Sequence, residues 1–256
     1  MTLRLPKRLI FCTLAYCCFH SAPAWAWEVA KSQPLFGDSA IRFIRKEIKQ
    51  DEHIVEMHLL VFKSPEYTLA VVDDESSTLD LPSAVKARGG VAGVNGGYFH
   101  PDHSPLGLVI KDGILVHDFE QAKLLSGVIA VTPRAVSLLR AQQYRPSMKL
   151  RQALQAGPFL VDQGKVTTGL NATRNAARTV ILSDGGSQCG LLLCRSVTLA
   201  EMAEILVAPG VINEIRIQRA LNLDGGSSSG MWVRDAAFSS TPWKPVRNYL
   251  TVIKGR

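Results

Sequence analysis

The chain has 256 residues, 46% of them hydrophobic and 20% charged, enough apolar material to fill a sizeable core. That balance excludes a disordered or collagen-like chain. The formal net charge of +7 first suggests an anionic partner, but part of it belongs to the first residues of the chain.

Residues 1–26 read as a secretory leader. Arg4, Lys7 and Arg8 form a basic start, residues 9–19 an apolar run, and Ala24-Trp25-Ala26 a small-x-small cleavage site. The apolar run is short for a membrane span. Cleavage is therefore expected after Ala26, giving a soluble periplasmic or secreted protein with no integral membrane segment. Without the leader, 26 basic residues face 22 acidic ones. No Lys/Arg stripe interleaved with aromatics is present, so nucleic acid is not an expected partner. Cys189 and Cys194 are the cysteines that remain. An oxidising compartment favours a disulfide, yet on one extended strand their Cα atoms lie ~16 Å apart. They pair only if that segment turns, and the sequence leaves this open.

Residues 27–40, with Pro34 and Gly37, read as a lead-in that orders late. Residues 41–48 and 54–62 show the partial alternation of half-buried strands, and 66–72 add a third. A short helix is expected over 78–88, with Asp80 and Pro82 near its start. The continuous apolar run 91–95 predicts a central strand. Asp112-Gly113 marks a type I′ hairpin between 106–111 and 114–118. Further hairpins are expected around 132–134 and 183–187. The firmest helix is 198–207, where Thr198 and Glu201 form a capping box and Leu199, Met202, Ala203, Leu206 and Val207 share one face. Strands over 219–223 and 246–253 close the sheet region. Hairpins outnumber helices, so the expectation is a single α+β domain over 27–256: a mixed, largely antiparallel twisted sheet with a few helices.

The most informative stretch is 221–230, Leu-Asn-Leu-Asp-Gly-Gly-Ser-Ser-Ser-Gly. An apolar run delivers Asn222 and Asp224 to a loop of glycine and serine. Amides of such a loop can converge on an anion, and serine hydroxyls add donors. A plain hairpin turn has the same local composition. A second segment, 91–99, repeats the pattern: Val-Ala-Gly-Val-Asn-Gly-Gly-Tyr-Phe places Asn95, Gly96, Gly97 and Tyr98 beyond another strand. Two further motifs are Gln155-Ala-Gly-Pro-Phe-Leu-Val-Asp-Gln-Gly-Lys165 and Arg174-Asn-Ala-Ala-Arg-Thr179.

These four motifs, in this order, resemble the phosphodiester glycosidase domain family. The resemblance implies hydrolysis of a sugar-1-phosphodiester, with Asp224, Asn95 and Arg178 as the catalytic set. It further implies substrate contacts from Tyr98, Gly96, Gly97, Arg174, Asn222, Gly225, Gly226, Ser227, Ser228 and Ser229. A carbohydrate phosphodiester or anionic glycan is then the partner, and no metal or other cofactor is expected. Ser227 departs from the family pattern, which has glycine there, and the strand after Arg178-Thr179 lacks a glycine many relatives carry. Arg178 needs an anionic partner at the mouth of an apolar strand: either phosphate through its bidentate fork or a structural carboxylate such as Asp224. His100, Asp102 and His103 could bind metal, but Pro101 and Pro105 mark them as exposed loop. Three rivals remain: a non-catalytic binder of glycans or phosphate polymers, a phosphodiesterase that cuts P–O, and a structural envelope protein with a vestigial site.

Overall fold

The computed structural model describes residues 26–255, so the leader read at 1–26 lies, apart from Ala26, outside the described residues. Among those residues are three sheets, with strands numbered here in chain order. The first has eight strands in the order β1 (Glu28–Gly37), β2 (Ile41–Gln50), β3 (His53–Lys63), β14 (Gln188–Val197), β13 (Ala176–Ser183), β15 (Arg219–Asn222), β11 (Phe159–Asp162) and β12 (Lys165–Val166). The second runs β7 (Ile114–His117), β6 (Val109–Lys111), β10 (Gln152–Ala156), β8 (Gly127–Val131) and β9 (Val136–Arg140). The third runs β17 (Phe238–Ser240), β16 (Met231–Val233), β5 (Ala92–Asn95), β18 (Asn248–Lys254) and β4 (Tyr67–Asp73). Two α-helices, α1 (Leu81–Ala87) and α2 (Leu199–Val207), complete the regular structure together with two short 3-10 turns.

The eight-stranded sheet is a middle layer. One face packs Phe43, Leu60, Phe62, Ile181 and Leu191 against Val94, Leu250, Ile129 and Leu154 of the other two sheets. The opposite face packs Met57, Leu59, Val180 and Leu192 beneath Met202, Ala203, Ile205 and Leu206 of α2. Burial on both faces explains why β3 and β14 carry near-continuous apolar runs. Helix α2 starts as the capping box predicts: Thr198 Oγ1 accepts from the Glu201 amide at 3.1 Å, and Glu201 Oε2 accepts from the Thr198 amide at 2.8 Å. Such a cap contributes about 1 kcal/mol.

Three expectations need correction. The structure is predominantly β, and all the strand pairings among the described residues are antiparallel. The sheets are therefore not mixed; apolar runs that suggest parallel pairing come here from layering on both sides. Residues 27–40 contain a ten-residue strand, β1, on the edge of the first sheet. Its exposed side chains and Pro34 hide it in the sequence, since proline is tolerated on an edge, and two register shifts interrupt its pairing with β2. The helix expected over 78–88 is shorter, beginning after Asp80, whose carboxylate accepts from the Ser83 amide at 2.8 Å. The Asp112-Gly113 turn is as expected, both residues at positive φ of 53° and 85°.

Cys189 and Cys194 lie on the single strand β14, and both are free and buried. They face opposite cores, Cys189 the inter-sheet one and Cys194 the one under α2. Burial pushes both thiols up to about 12. Denatured protein spanning residues 27–256 should titrate two thiols, the folded protein none. Reductant should leave its melting temperature unchanged; a drop would reveal a disulfide.

Candidate active site

Three strand ends meet at one place: β5 ends in Asn95, β15 ends in Asn222, and Arg178 and Thr179 lie on β13 beside β15. The loop 223–230 carries the chain from the first sheet (β15) to the third (β16) across this junction.

Asn95 is fully buried, and both ends of its amide are committed. Its Oδ1 accepts from Thr179 Oγ1 at 2.7 Å and from the Gly230 amide at 3.1 Å. Its Nδ2 donates to the Asp224 carbonyl at 2.8 Å, while the Asp224 amide donates to the Gly96 carbonyl at 3.1 Å. Asn95 thus fastens both sheets to the loop and has no group left for a sugar hydroxyl. Gly96 and Gly97 also face protein. Their amides donate to the main-chain and side-chain oxygens of Asn248, each at 2.8 Å. A Cβ on Gly96 would sit 2.0 Å from Asn248 Oδ1, so glycine is required here by close packing and not by a ligand.

Tyr98 and Asn222 form a second polar group. The Tyr98 hydroxyl donates to the Gly157 carbonyl at 2.6 Å and accepts from Asn222 Nδ2 at 3.0 Å; that Nδ2 also reaches the Gly157 carbonyl at 3.1 Å. Asn222 Oδ1 is buried with no partner among the described residues. Burial, then the Asp224 charge, raises the Tyr98 hydroxyl far above its ordinary value. It stays protonated and serves as a neutral donor.

Asp224 is partly exposed at the lip of the loop. Its Oδ1 accepts from the Gly225 amide at 2.8 Å, and the Ser228 hydroxyl also bonds to the carboxylate. Burial nonetheless dominates and raises its pKa above the usual carboxylate value. No ion pair joins it to Arg178, so the guanidinium has not been spent as a structural counter-charge. Arg178 is buried; its Nε donates to the Val197 carbonyl at 3.1 Å and its Nη2 to the Arg174 carbonyl at 2.6 Å. Nη1 has no hydrogen bond among the described residues and lies 3.6 Å from where a Cβ on Gly225 would sit. Gly226 takes a positive φ of 65°. Ser227 is exposed, so the departure from glycine there meets open solvent, whereas Ser228 and Ser229 are buried. The Arg174 side chain is exposed at the rim.

The His100-Asp102-His103 loop is engaged elsewhere. His103 Nδ1 lies 3.0 Å from Ser77 Oγ and its ring stacks on Phe99, while Asp102 binds the Ser104 amide and hydroxyl. No group of three metal-ligating side chains occurs among the described residues. Sequence reasoning missed Thr179, Gly157 and Asn248. Asn248 had a visible signal: like Asn95 and Asn222, it is an asparagine at the mouth of an apolar strand.

An antiparallel β-fold whose strand-end junction presents one carboxylate on a glycine–serine loop beside a free guanidinium nitrogen defines a class of site suited to an anionic, oxygen-rich group. The sequence matches the phosphodiester glycosidase family over residues 88–253, and the chain belongs to that family. No curated protein sequence matches it. The fold is similar to a hypothetical protein from Synechocystis, with TM-score 0.64 and 15% identity, covering 88% of this chain and 64% of that one. The chain thus spans less than two thirds of the Synechocystis protein. It is also similar to the zebrafish N-acetylglucosamine-1-phosphodiester alpha-N-acetylglucosaminidase catalytic domain auto-inhibited by its pro-peptide. There the TM-score is 0.63 at 17% identity, with 90% and 88% of the two chains covered. A putative exported protein from Burkholderia pseudomallei gives TM-score 0.54 and 14% identity over 82% and 74%.

Replacing Asn95 by Ala should lower the melting temperature by about 5–15 °C, because the Gly230 amide and Asp224 carbonyl lose a buried partner. An unchanged melting temperature with a raised KM would instead make Asn95 a substrate contact.

Proposed function

We propose that this protein is an exported hydrolase that cleaves a sugar-1-phosphodiester on an envelope or extracellular glycoconjugate. One observation carries the reading: Asp224, a single partly desolvated carboxylate, stands on a glycine–serine loop next to the uncommitted Nη1 of Arg178. Ordinary glycosidases pair two carboxylates, because an alkoxide leaving group must be protonated. A phosphate monoester leaves as a stable anion and needs no such acid. A site with one carboxylate fits that demand.

In this reading the bond between C1 and the bridging oxygen breaks, and its electron pair stays on the phosphate. Arg178 Nη1 and the Gly226 and Ser227 amides, the loop amides not committed to other acceptors among the described residues, stabilise that charge as it grows. A water adds to C1 and gives its proton to Asp224, whose burial makes it a stronger base than an exposed carboxylate. Tyr98, which is partly exposed, stacks on the sugar ring in this reading, and Asn222 fixes the Tyr98 hydroxyl. Arg174 adds positive charge at the rim. The leader read at residues 1–26 supports export, and family membership supports the reaction class.

Hydrolysis in oxygen-18 water is the test: the label should enter the free sugar. Label in the phosphate would assign P–O cleavage, and binding without any product would leave a glycan binder. Activity should fall as pH drops through the raised Asp224 pKa, since the base must be ionised. Asp224→Asn should reduce turnover by about 10³-fold or more. The same change should raise stability. A carboxyl whose folded pKa is raised loses its contribution as pH climbs through that value, and neutral Asn removes the loss. At neutral pH the variant should melt at a higher temperature than the wild type. Unchanged turnover would overturn the reading.

A further inference from the structure

Exposed large hydrophobic side chains concentrate at one place in this protein. Of eight among the described residues, four fall within 114–124: Ile114, Leu115, Val116 and Leu124. The first three make up most of β7, an edge strand that pairs with β6 alone. Successive side chains of a strand point to opposite faces, so both faces of this edge are apolar and wet. Beside it, on the second sheet, is a hollow of about 600 Å³ with Leu108, Leu115, Phe119, Tyr144 and Met148 in its wall. The rings of Phe119 and Tyr144 stack 5.2 Å apart and also line a neighbouring hollow that carries Lys123 and Arg145.

The rim of this surface is basic. Lys123, Arg145, Lys149 and Arg151 line the two hollows, and none forms an ion pair among the described residues. Against them stand Asp118 and Glu120, and Glu120 Oε1 is occupied by the Gly107 amide at 2.9 Å. Asp112, at the turn before β7, is paired with Arg88 through two hydrogen bonds of 2.9 and 2.7 Å. A positive rim thus surrounds an exposed apolar edge.

We propose that this face docks the protein on an anionic phospholipid surface, the 114–116 edge entering the interface and the basic rim meeting lipid phosphates. Charge complementarity selects this occupant. An anionic polymer would use the rim but leave the apolar edge in water. A protein partner seated on one face of β7 would leave the other face wet. A bilayer interface takes up both faces and the rim together. The same face adjoins the candidate active site: the Leu124 carbonyl abuts Gly157, whose own carbonyl accepts from the Tyr98 hydroxyl. Docking would bring that side of the site toward the headgroup layer. It goes beyond the function proposed above and requires no hydrolysis.

Co-sedimentation with lipid vesicles is the test. Protein spanning residues 27–256 should bind vesicles of phosphatidylglycerol and phosphatidylethanolamine and ignore pure phosphatidylcholine. Each basic residue at an anionic surface contributes about fivefold in affinity. The double variant Lys149→Gln, Arg151→Gln should therefore bind about 25-fold more weakly. Ile114→Ser combined with Leu115→Ser should weaken binding about tenfold or more, because two apolar side chains no longer leave water. Both double variants should keep the wild-type melting temperature, since all four side chains are exposed. Equal binding to the two vesicle types, no binding, or unchanged binding by either variant would overturn the proposal. So would a wild-type dimer that the Ile114/Leu115 variant dissociates, because β7 would then pair with a second copy. The hydrolytic reading fails separately, if vesicle binding holds but no soluble diester releases sugar.

Discussion

The side-chain amide of Asn95 holds this site together. It sits at the end of a central strand of one sheet, accepts from Thr179 on another, and reaches both ends of the loop that crosses between them. Buried away from water, each of those hydrogen bonds is costly to leave unmade, so the three segments are fixed relative to one another. Asp224 is aimed by its own carbonyl, which Asn95 grips, and not by packing of its carboxylate. That separation lets the carboxylate stand at a partly exposed lip while its backbone is rigid. A charge site of this kind is preorganised: its donors need not reorient when charge develops.

The second feature is what the charges do not do. Asp224 and Arg178 sit on neighbouring segments without forming an ion pair. Contrast Asp73 with Arg247, or Asp162 with Arg140 and Arg219, where paired charges serve the structure. An internal pair at the site would neutralise both groups and leave little for a substrate. Instead two guanidinium nitrogens of Arg178 are anchored to carbonyls, and the third is turned toward the glycine loop. The rigid anchoring reduces the side-chain entropy that ligand binding would otherwise cost.

Much of this was legible in the sequence, for identifiable reasons. Apolar runs ending in Asn, then Gly-Gly or Asp-Gly-Gly, located the strand ends that meet. The Thr198/Glu201 pair located α2, and Asp112-Gly113 its hairpin. What could not be read was which surface each polar residue faces. Asn95, Gly96 and Gly97 carry the pattern of a ligand loop, but the backbone they meet belongs to Asn248 and to the 224–230 loop. Close approach of protein and of ligand make the same demand on glycine. Edge strand β1 was hidden by its exposed, proline-containing sequence.

The account stands on a carboxylate held in a desolvated setting among donors yet reachable from solvent. Carbon-13 NMR titration of the Asp224 carboxyl, assigned by comparison with the Asn variant, measures that state directly. The account predicts a midpoint above the ordinary carboxylate value of 3.8. A midpoint at or below that value would mean that paired charge or free hydration dominates at residue 224, and the proposed chemistry would lose its base.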